Sequence, residues 1–289
     1  MIDIDDLFSF FRHPQKHFFR RQLGVHFNHQ EAKAEEREPF AVARLDGYSI
    51  YQDWIASLLN GNAVSVKKMQ ARGQWPAGVV GELDFNRQQQ KLIEFVQKIR
   101  VKELGNRVDD LPVDLKIGAY HLVGKLEHRY ENGNLIYRYA KLKGKDFVAA
   151  LLHHLLSNQL ETQTTHLLSE DKALTFAPEL AETEQLLAWL ALYERGQQHP
   201  HTFFVEAAFE YVQQAHSLES SKSASIPAMT KAIKQLEDAI KQDYEPELKL
   251  LGRNVREVTK LLHEDFEQQC QDLLQMAWRA AQPPKTKKP

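Results

Sequence analysis

The stretch GKLEHRYENGNLIYRYAKLK, residues 124–143, carries one acid on a first extended segment, Glu127, and one lysine at the end of a second, Lys141. Asn132-Gly133 between them is a strong two-residue hairpin signal. A hairpin bearing acids and a lysine suits hydrolysis of a phosphodiester with Mg²⁺. That chemistry needs at least two carboxylates converging on hard cations and a positive group near the attacking water. With Asn132-Gly133 as the loop, Glu131 faces Asn134, Glu127 faces Arg138, Leu126 faces Tyr139 and Gly124 faces Lys141. One face is then apolar, with Leu122, Leu126, Tyr130, Leu135, Tyr137 and Tyr139. The other carries Lys125, Glu127, Arg129 and Arg138, with Val123 and Ile136. On this register Glu127 and Lys141 point to opposite faces, and no second acid follows, because residues 138–140 are Arg138, Tyr139 and Ala140. An arginine there repels a cation. The expected role of Glu127 is an exposed cross-strand pair with Arg138, worth under about 1 kcal/mol. The hairpin reads as present in form and empty in chemistry.

Other candidate sites carry less. There is no G-x-x-x-x-G-K-[ST] phosphate loop, since Gly124-Lys125 lacks both the upstream glycine and the hydroxyl, so ATP hydrolysis is not expected. G-x-S-x-G and H-E-x-x-H are also absent. His13 and His17 are four apart, as zinc ligands on a helix can be, but Pro14 sits between them at a helix start and no third ligand is near. His153 and His154 are adjacent, so a helix points them in different directions. His199 and His201 flank Pro200 in a loop. Arg12, Lys16, Arg20 and Arg21 recur at helical spacing beside a Phe stripe. The ordinary meaning is a solvated face beside a buried one; the sharper one is a surface that contacts phosphates or a partner. Lys67, Lys68, Arg72, Lys285, Lys287 and Lys288 are weaker candidates for the same role.

The elements that must position these groups follow from pattern. Asp3 or Asp5 caps a first helix with Leu7, Phe10 and Phe11 inward. Pro14 starts a second, with Phe18, Phe19 and Leu23 inward, ending at Gly24. A charged loop follows. FAVARLDGYSIYQDWIASLL reads as strand, turn and helix. PAGVVGELDFNRQQQKLIEFVQKIRVKEL reads as a long helix with apolar Leu83, Leu92, Phe95, Val96 and Ile99. Residues 113–142 are strand-rich, DFVAALLHHLLSNQL is a helix buried on most sides, and QTTHLL and ALTFAP are short strands. Residues 179–195 are helical, stopping at Gly196. HTFFVEAAFEYVQQAH leads from an extended piece into a helix, SLESSKSASIPA is a polar loop, and the chain is helical from Met229 to a basic, proline-broken tail. The expected architecture is α/β or α+β with extra helical layers.

The chain has 289 residues, 43% hydrophobic, with 37 Lys+Arg against 39 Asp+Glu. That is ample for a core. A net charge of −2 gives no broad basic surface, so any DNA contact is local. The single cysteine, Cys270, excludes a disulfide framework and a thiolate metal cluster and reads as a small core residue. The opening MIDIDD is acidic, the wrong sign for a secretory start, and no long uncharged apolar run occurs, so a soluble cytoplasmic protein is expected.

LFSFFRHPQKHFFRRQLGVHF, EPF, GQWPAGVVGE, GKLEHRY…NGNLIYRYAKL and FFVEAAFEY resemble, in that order, the C-terminal region of RecC, the gamma chain of exodeoxyribonuclease V. The F-x-x-H-P-x-x-x-F-F-x-x-x-L-G-V block from Phe10 to Val25 is the most specific piece, and the similarity thins after about residue 216. The resemblance implies a restriction-endonuclease-like, PD-(D/E)xK-type mixed sheet flanked by helices that has lost its catalytic groups. Active relatives place a histidine on the helix before the sheet, where GVVGELDF here has Gly81 and Glu82. The first acid matches Glu127, the second falls on residues 138–140 with Tyr139 at its centre, and Lys141 matches the lysine loosely.

The resemblance further implies a single nuclease-like domain over residues 1–280. Within it, residues 1–110 form a helical region, residues from about 111 to 205 a sheet core and residues 206–280 the C-terminal helices, followed by a disordered tail at 281–289. It implies a non-catalytic piece of a longer chain, with Met1 an introduced start, that scaffolds RecB, meets RecD, and contacts forked duplex DNA in double-strand break repair and recombination. Arg12, Lys16, Arg20 and Arg21 are the candidate contact residues. No cofactor, metal, membrane or small-molecule substrate is expected, and Chi recognition, attributed in that family mainly to a helicase-like N-terminal part that this sequence does not include, is not assigned to it. Two alternatives remain: a divergent Mg²⁺ nuclease drawing on Glu82 or Asp114 beside Glu127, and a protein-interaction module without DNA contact.

Overall fold

A computed structural model of the chain describes residues 1–27, 44–180, 182–200, 202–218, 225–241, 245–253, 257–262 and 264–282. Asp3 caps α1 (Ile4–Arg12), its carboxylate accepting from the Asp5 backbone N–H at 2.9 Å. Pro14 is the first residue of α2 (Pro14–Arg21), and His13 caps that helix through Nδ1, which accepts from the Lys16 N–H at 3.1 Å. Ile4, Leu7, Phe10 and Phe11 are buried, as are Phe18 and Phe19. Leu23 departs from the expectation: α2 stops at Arg21 and Leu23 is 54% exposed.

α3 (Arg44–Leu59), α4 (Val66–Ala71) and α5 (Gly78–Arg100) build a second apolar cluster around Trp54, Trp75, Phe85 and Phe95. The strand expected at the start of FAVARL lies outside the described residues. On α5 the buried line is Gly81, Phe85, Leu92, Phe95, Val96 and Ile99. Leu83 falls off that line and is 63% exposed.

The strands form two sheets. The first has the order β1-β3-β2, from β1 (Ile2–Asp3), β2 (Leu111–Ile117) and β3 (Tyr120–Leu126), with β1 parallel to β3. The second has the order β4-β5-β6-β7, from β4 (Arg129–Tyr130), β5 (Gly133–Arg138), β6 (Thr165–Ser169) and β7 (Ala173–Phe176). The expected pairing across residues 124–143 is therefore corrected. β3 pairs with β2, Leu126 lying opposite Leu111, and the chain breaks at Glu127-His128, where His128 has φ 65°. The hairpin itself is β4-β5, shifted by one residue: Tyr130 faces Gly133 and Arg129 faces Asn134, with Glu131-Asn132 as the turn.

The shift has a non-local cause. The Glu131 carboxylate accepts from the Asn106 backbone N–H at 2.9 Å and from its side-chain amide at 3.2 Å, while the Asn132 side chain donates to the Glu103 carbonyl at 2.9 Å. Gly133, at φ 145°, is needed for close approach, since a Cβ there would lie 2.9 Å from the Thr164 carbonyl oxygen. The single apolar face is corrected too. Leu122 and Leu126 belong to the main core, whereas Leu135, Tyr137 and Tyr139 pack on the α3–α5 cluster.

α6 (Gly144–Asn158) crosses from β5 to the parallel strand β6 and is buried on most sides, as expected. α7 (Thr183–Gln198) and α8 (Val205–Ser217) pack around it with Trp189, Leu190 and Phe209 in the main core. Full burial of such side chains contributes about 1.5–3 kcal/mol each. The helix expected from Met229 starts earlier, as α9 (Ser225–Lys241), so the end of the serine-rich stretch is helical. α10 (Pro246–Gly252), a short 3₁₀ turn, α11 (Phe266–Cys270), a π-helical turn Gln271–Gln275 and α12 (Met276–Ala281) follow. Cys270 is buried and free, and burial pushes its thiol pKa up. The tail beyond Gln282, with Lys285, Lys287 and Lys288, lies outside the described residues. No helix among the described residues is long and apolar enough to cross a membrane.

Candidate functional site

Glu127 lies between β3 and β4, off both strand ladders, and its carboxylate is 3.6 Å from the Lys125 ammonium. The expected Glu127–Arg138 pair does not form, because the two residues sit in different stretches of the backbone. Arg138 ends β5 and directs Nη1 to both carboxylate oxygens of Asp146 on α6 at 2.7 Å, with side-chain exposures of 19% and 17%. Tyr139 is beyond the strand end. It accepts from the Gln88 side-chain amide at 3.2 Å and meets the edges of Tyr51 and Phe95. Burial pushes its phenol pKa up. Lys141 is exposed.

Asp114 is engaged with His121 at 2.5 Å, and Glu82 is exposed on α5. Among the described residues no three His, Cys, Asp or Glu side chains come together as a metal site. The structure thus leaves Glu127, Glu82 and Asp114 apart.

The four histidines singled out from sequence, His13, His17, His153 and His154, are engaged in capping, hydrogen bonding or packing. His153 donates from Nε2 to the Glu127 carbonyl at 2.7 Å, and burial holds its pKa down at about 4. His154 points the other way, to the Thr165 hydroxyl and the Ala177 carbonyl, also with a pKa of about 4 from burial. His13 is spent on the α2 cap, while His17 is buried against the edges of Phe10 and Tyr193. They share no face.

The basic residues of α1 and α2 divide. Arg12, Lys16 and Arg20 line a cleft of about 800 Å³ between α1, α2, the start of α6, α8, α9 and α10. Arg21 points away from it and pairs with Asp6. Lys143 and Lys145 add two further cations to the cleft. They are balanced by carboxylates: Glu206 and Glu210 from α8, Asp238 from α9, and Glu245 and Glu247 at α10.

The start of α6 is built into this cleft. Glu206 accepts from the backbone N–H groups of Gly144 at 2.7 Å and Lys145 at 3.1 Å, so the positive end of the helix is already satisfied by the protein. Burial pushes the Glu206 pKa up and the Lys145 pKa down. Glu245 is pushed up by burial and by the Glu206 charge. Gly144 is required where α6 touches α8, since a Cβ would lie 2.7 Å from the Val205 carbonyl oxygen and 2.8 Å from the Phe209 Cβ.

Glu206, Lys143, Lys145 and Glu247 were not singled out from sequence. Lys143 and Lys145 sit at the start of α6, Glu206 on α8 and Glu247 on α10, and only the fold brings them to one place. Lys67, Lys68 and Arg72 are exposed around α4 and do not line the cleft.

Residues 1–216 match the family described as the RecC C-terminal domain. The chain is similar to "RecBCD enzyme subunit RecC" of Haemophilus influenzae, 25% identical over 204 residues, covering 66% of this chain and 18% of that protein. It is similar to the protein of the same name in Escherichia coli strain K12, 24% identical over 158 residues, covering 54% of this chain and 14% of that one. A third similarity is to the protein of the same name in Buchnera aphidicola subsp. Acyrthosiphon pisum, 22% identical over 160 residues, again covering 54% of this chain and 14% of the other. The chain spans under a fifth of the length of these curated relatives. The family match ends at the close of α8, so α9 to α12 lie beyond it.

Proposed function

The chain belongs to the RecC C-terminal domain family, and from that premise we propose that it is a non-catalytic, nuclease-like-fold domain over residues 1–280 that scaffolds the RecB subunit of a helicase–nuclease and contacts DNA at the unwinding fork. One observation carries the loss of catalysis. At the strand end where a nuclease needs its second acid, Arg138 is locked onto Asp146, so the local carboxylate is consumed by an internal ion pair and a fixed positive charge faces any incoming cation. The hairpin β4-β5 followed by the α6 crossover into parallel β6 supports the nuclease-like reading of the sheet.

The test is cleavage of labelled single- and double-stranded DNA by the full chain with Mg²⁺ or Mn²⁺. No product is expected. Cleavage that vanishes in Glu127→Ala would refute the proposal and restore the divergent nuclease. A second reading, contact with protein rather than DNA, is favoured by the cleft: Arg12, Lys16 and Arg20 stand there among Glu206, Glu210, Asp238, Glu245 and Glu247, which oppose a phosphate backbone.

A further inference from the structure

Glu247 is 1% exposed, and neither of its carboxylate oxygens has a hydrogen-bond partner. Its backbone starts α10, and its side chain lines the cleft. A buried carboxylate without a partner is among the costliest arrangements in a folded chain. His17 lines the same cleft at 7% exposure, with both ring nitrogens unpartnered. Three other polar groups of the cleft are matched internally: Gln15 donates to the Phe203 carbonyl at 3.1 Å, Glu206 is held by the start of α6, and His13, which feels the Glu247 charge, caps α2 through Nδ1. Two deeply buried groups are thus left over, one an anion and one able to donate and accept.

These leftovers define what fits. The anion calls for a cationic head, and the imidazole for a group with both an N–H and a C=O, as a peptide bond has. The rim mixes Arg12 and Arg20 with Glu210 and Asp238, which disfavours a uniformly anionic phosphodiester chain and suits a polypeptide of mixed charge. A volume of about 800 Å³ is that of a site enclosing several residues or a large ligand.

We propose that the cleft between α2, α8 and α10 is a docking groove for a segment of a partner protein that seats a basic side chain, an arginine guanidinium by preference, on Glu247. This rests on the reading of the chain as one subunit of a larger assembly. Guanidinium is preferred because its planar fork pairs with both oxygens of a carboxylate at once.

The experiment uses the isolated full chain and agmatine, a guanidinium probe, added to about 20 mM while backbone amide resonances are followed. Saturable shifts are expected at amides around the cleft, such as Lys16, Lys145, Ala239 and Leu248. In Glu247→Gln and Glu247→Leu the apparent affinity is expected to fall at least about tenfold. Both variants are also expected to unfold at a higher temperature than the parent, because removing an unpaired buried charge relieves the fold. The absence of saturable shifts, or equal binding by the variants, overturns the proposal. So does a lower unfolding temperature in both variants, which would assign Glu247 an internal partner. Tighter binding of spermidine than of agmatine would assign the site to a free polyamine and overturn the protein partner. None of these outcomes depends on whether the chain cleaves DNA.

Discussion

Replacing Asp146 by alanine removes the carboxylate whose two oxygens each lie 2.7 Å from Arg138 and which also accepts from the Lys143 backbone N–H at 3.2 Å. A charge-assisted hydrogen bond contributes about 1.5–3 kcal/mol. Removing one member of a fully buried pair costs about 3–5 kcal/mol, because the other charge is stranded. The two side chains here are 19% and 17% exposed, so water relieves some of that penalty. The lost contact to the first turn of α6 adds about 1 kcal/mol.

Together these give about 3 kcal/mol for Asp146→Ala, about 2 for Asp146→Asn and about 1–2 for Arg138→Met, whose loss leaves the carboxylate still bonded to the helix start. In urea, with a slope of about 3 kcal/mol per molar for a chain of this size, Asp146→Ala lowers the unfolding midpoint by about 1 M. The double variant is expected to fall short of additivity by about 2 kcal/mol. A coupling below about 0.5 kcal/mol in the same assay would show that the guanidinium does not hold the carboxylate, and the account of why this strand end cannot host a cation would fail with it.

Three other outcomes are expected. The chain should yield no DNA cleavage products with Mg²⁺ or Mn²⁺ in a gel assay. Stability should depend on pH through His153: its folded pKa of about 4 lies below the ordinary 6.5, so its contribution is complete above pH 6.5 and is lost as pH falls from 6.5 towards 4. That difference amounts to about 3 kcal/mol, and His153→Gln, which can still donate to the Glu127 carbonyl, should remove about that much of the slope across the window, while His13, His154 and His166, also held at about 4 by burial, keep their own shares. Gly144→Ala should cost about 1–3 kcal/mol by calorimetry, because its methyl group meets the Val205 carbonyl and the Phe209 Cβ, neither a flexible tip.

What the sequence disclosed was what local chemistry decides. Asp3 capping α1, Pro14 opening α2, the strands β6 and β7, and the divergent directions of His153 and His154 all follow from neighbours within a few residues. The hairpin register was missed by one residue because its turn is tied to residues 103–106, some 25 positions upstream, by the Glu131–Asn106 and Asn132–Glu103 bonds. β1 was missed because two residues carry no periodicity, and its partner β3 lies far along the chain. Leu23 reads as inward and Leu83 groups with the apolar residues of its helix because apolar type alone does not reveal that a helix has ended or that a neighbouring line of residues, led by Gly81 and Phe85, packs instead. Arg12, Lys16 and Arg20 were legible as a group, but the carboxylates that face them come from residues 206–247, and nothing in the local pattern announces that meeting.

The cleft is made in two instalments: one wall from helices inside the shared family region, the other from α9 and α10, which come after it. Such a composite trough separates framework from selectivity. Both walls are tied to the main core, since Ala232, Leu236 and Ala239 of α9 and Leu248 of α10 are buried in it. What the trough accepts is therefore open to retuning through the side chains that face it, Gln235 and Asp238 among them, and not through exchange of the closing helices.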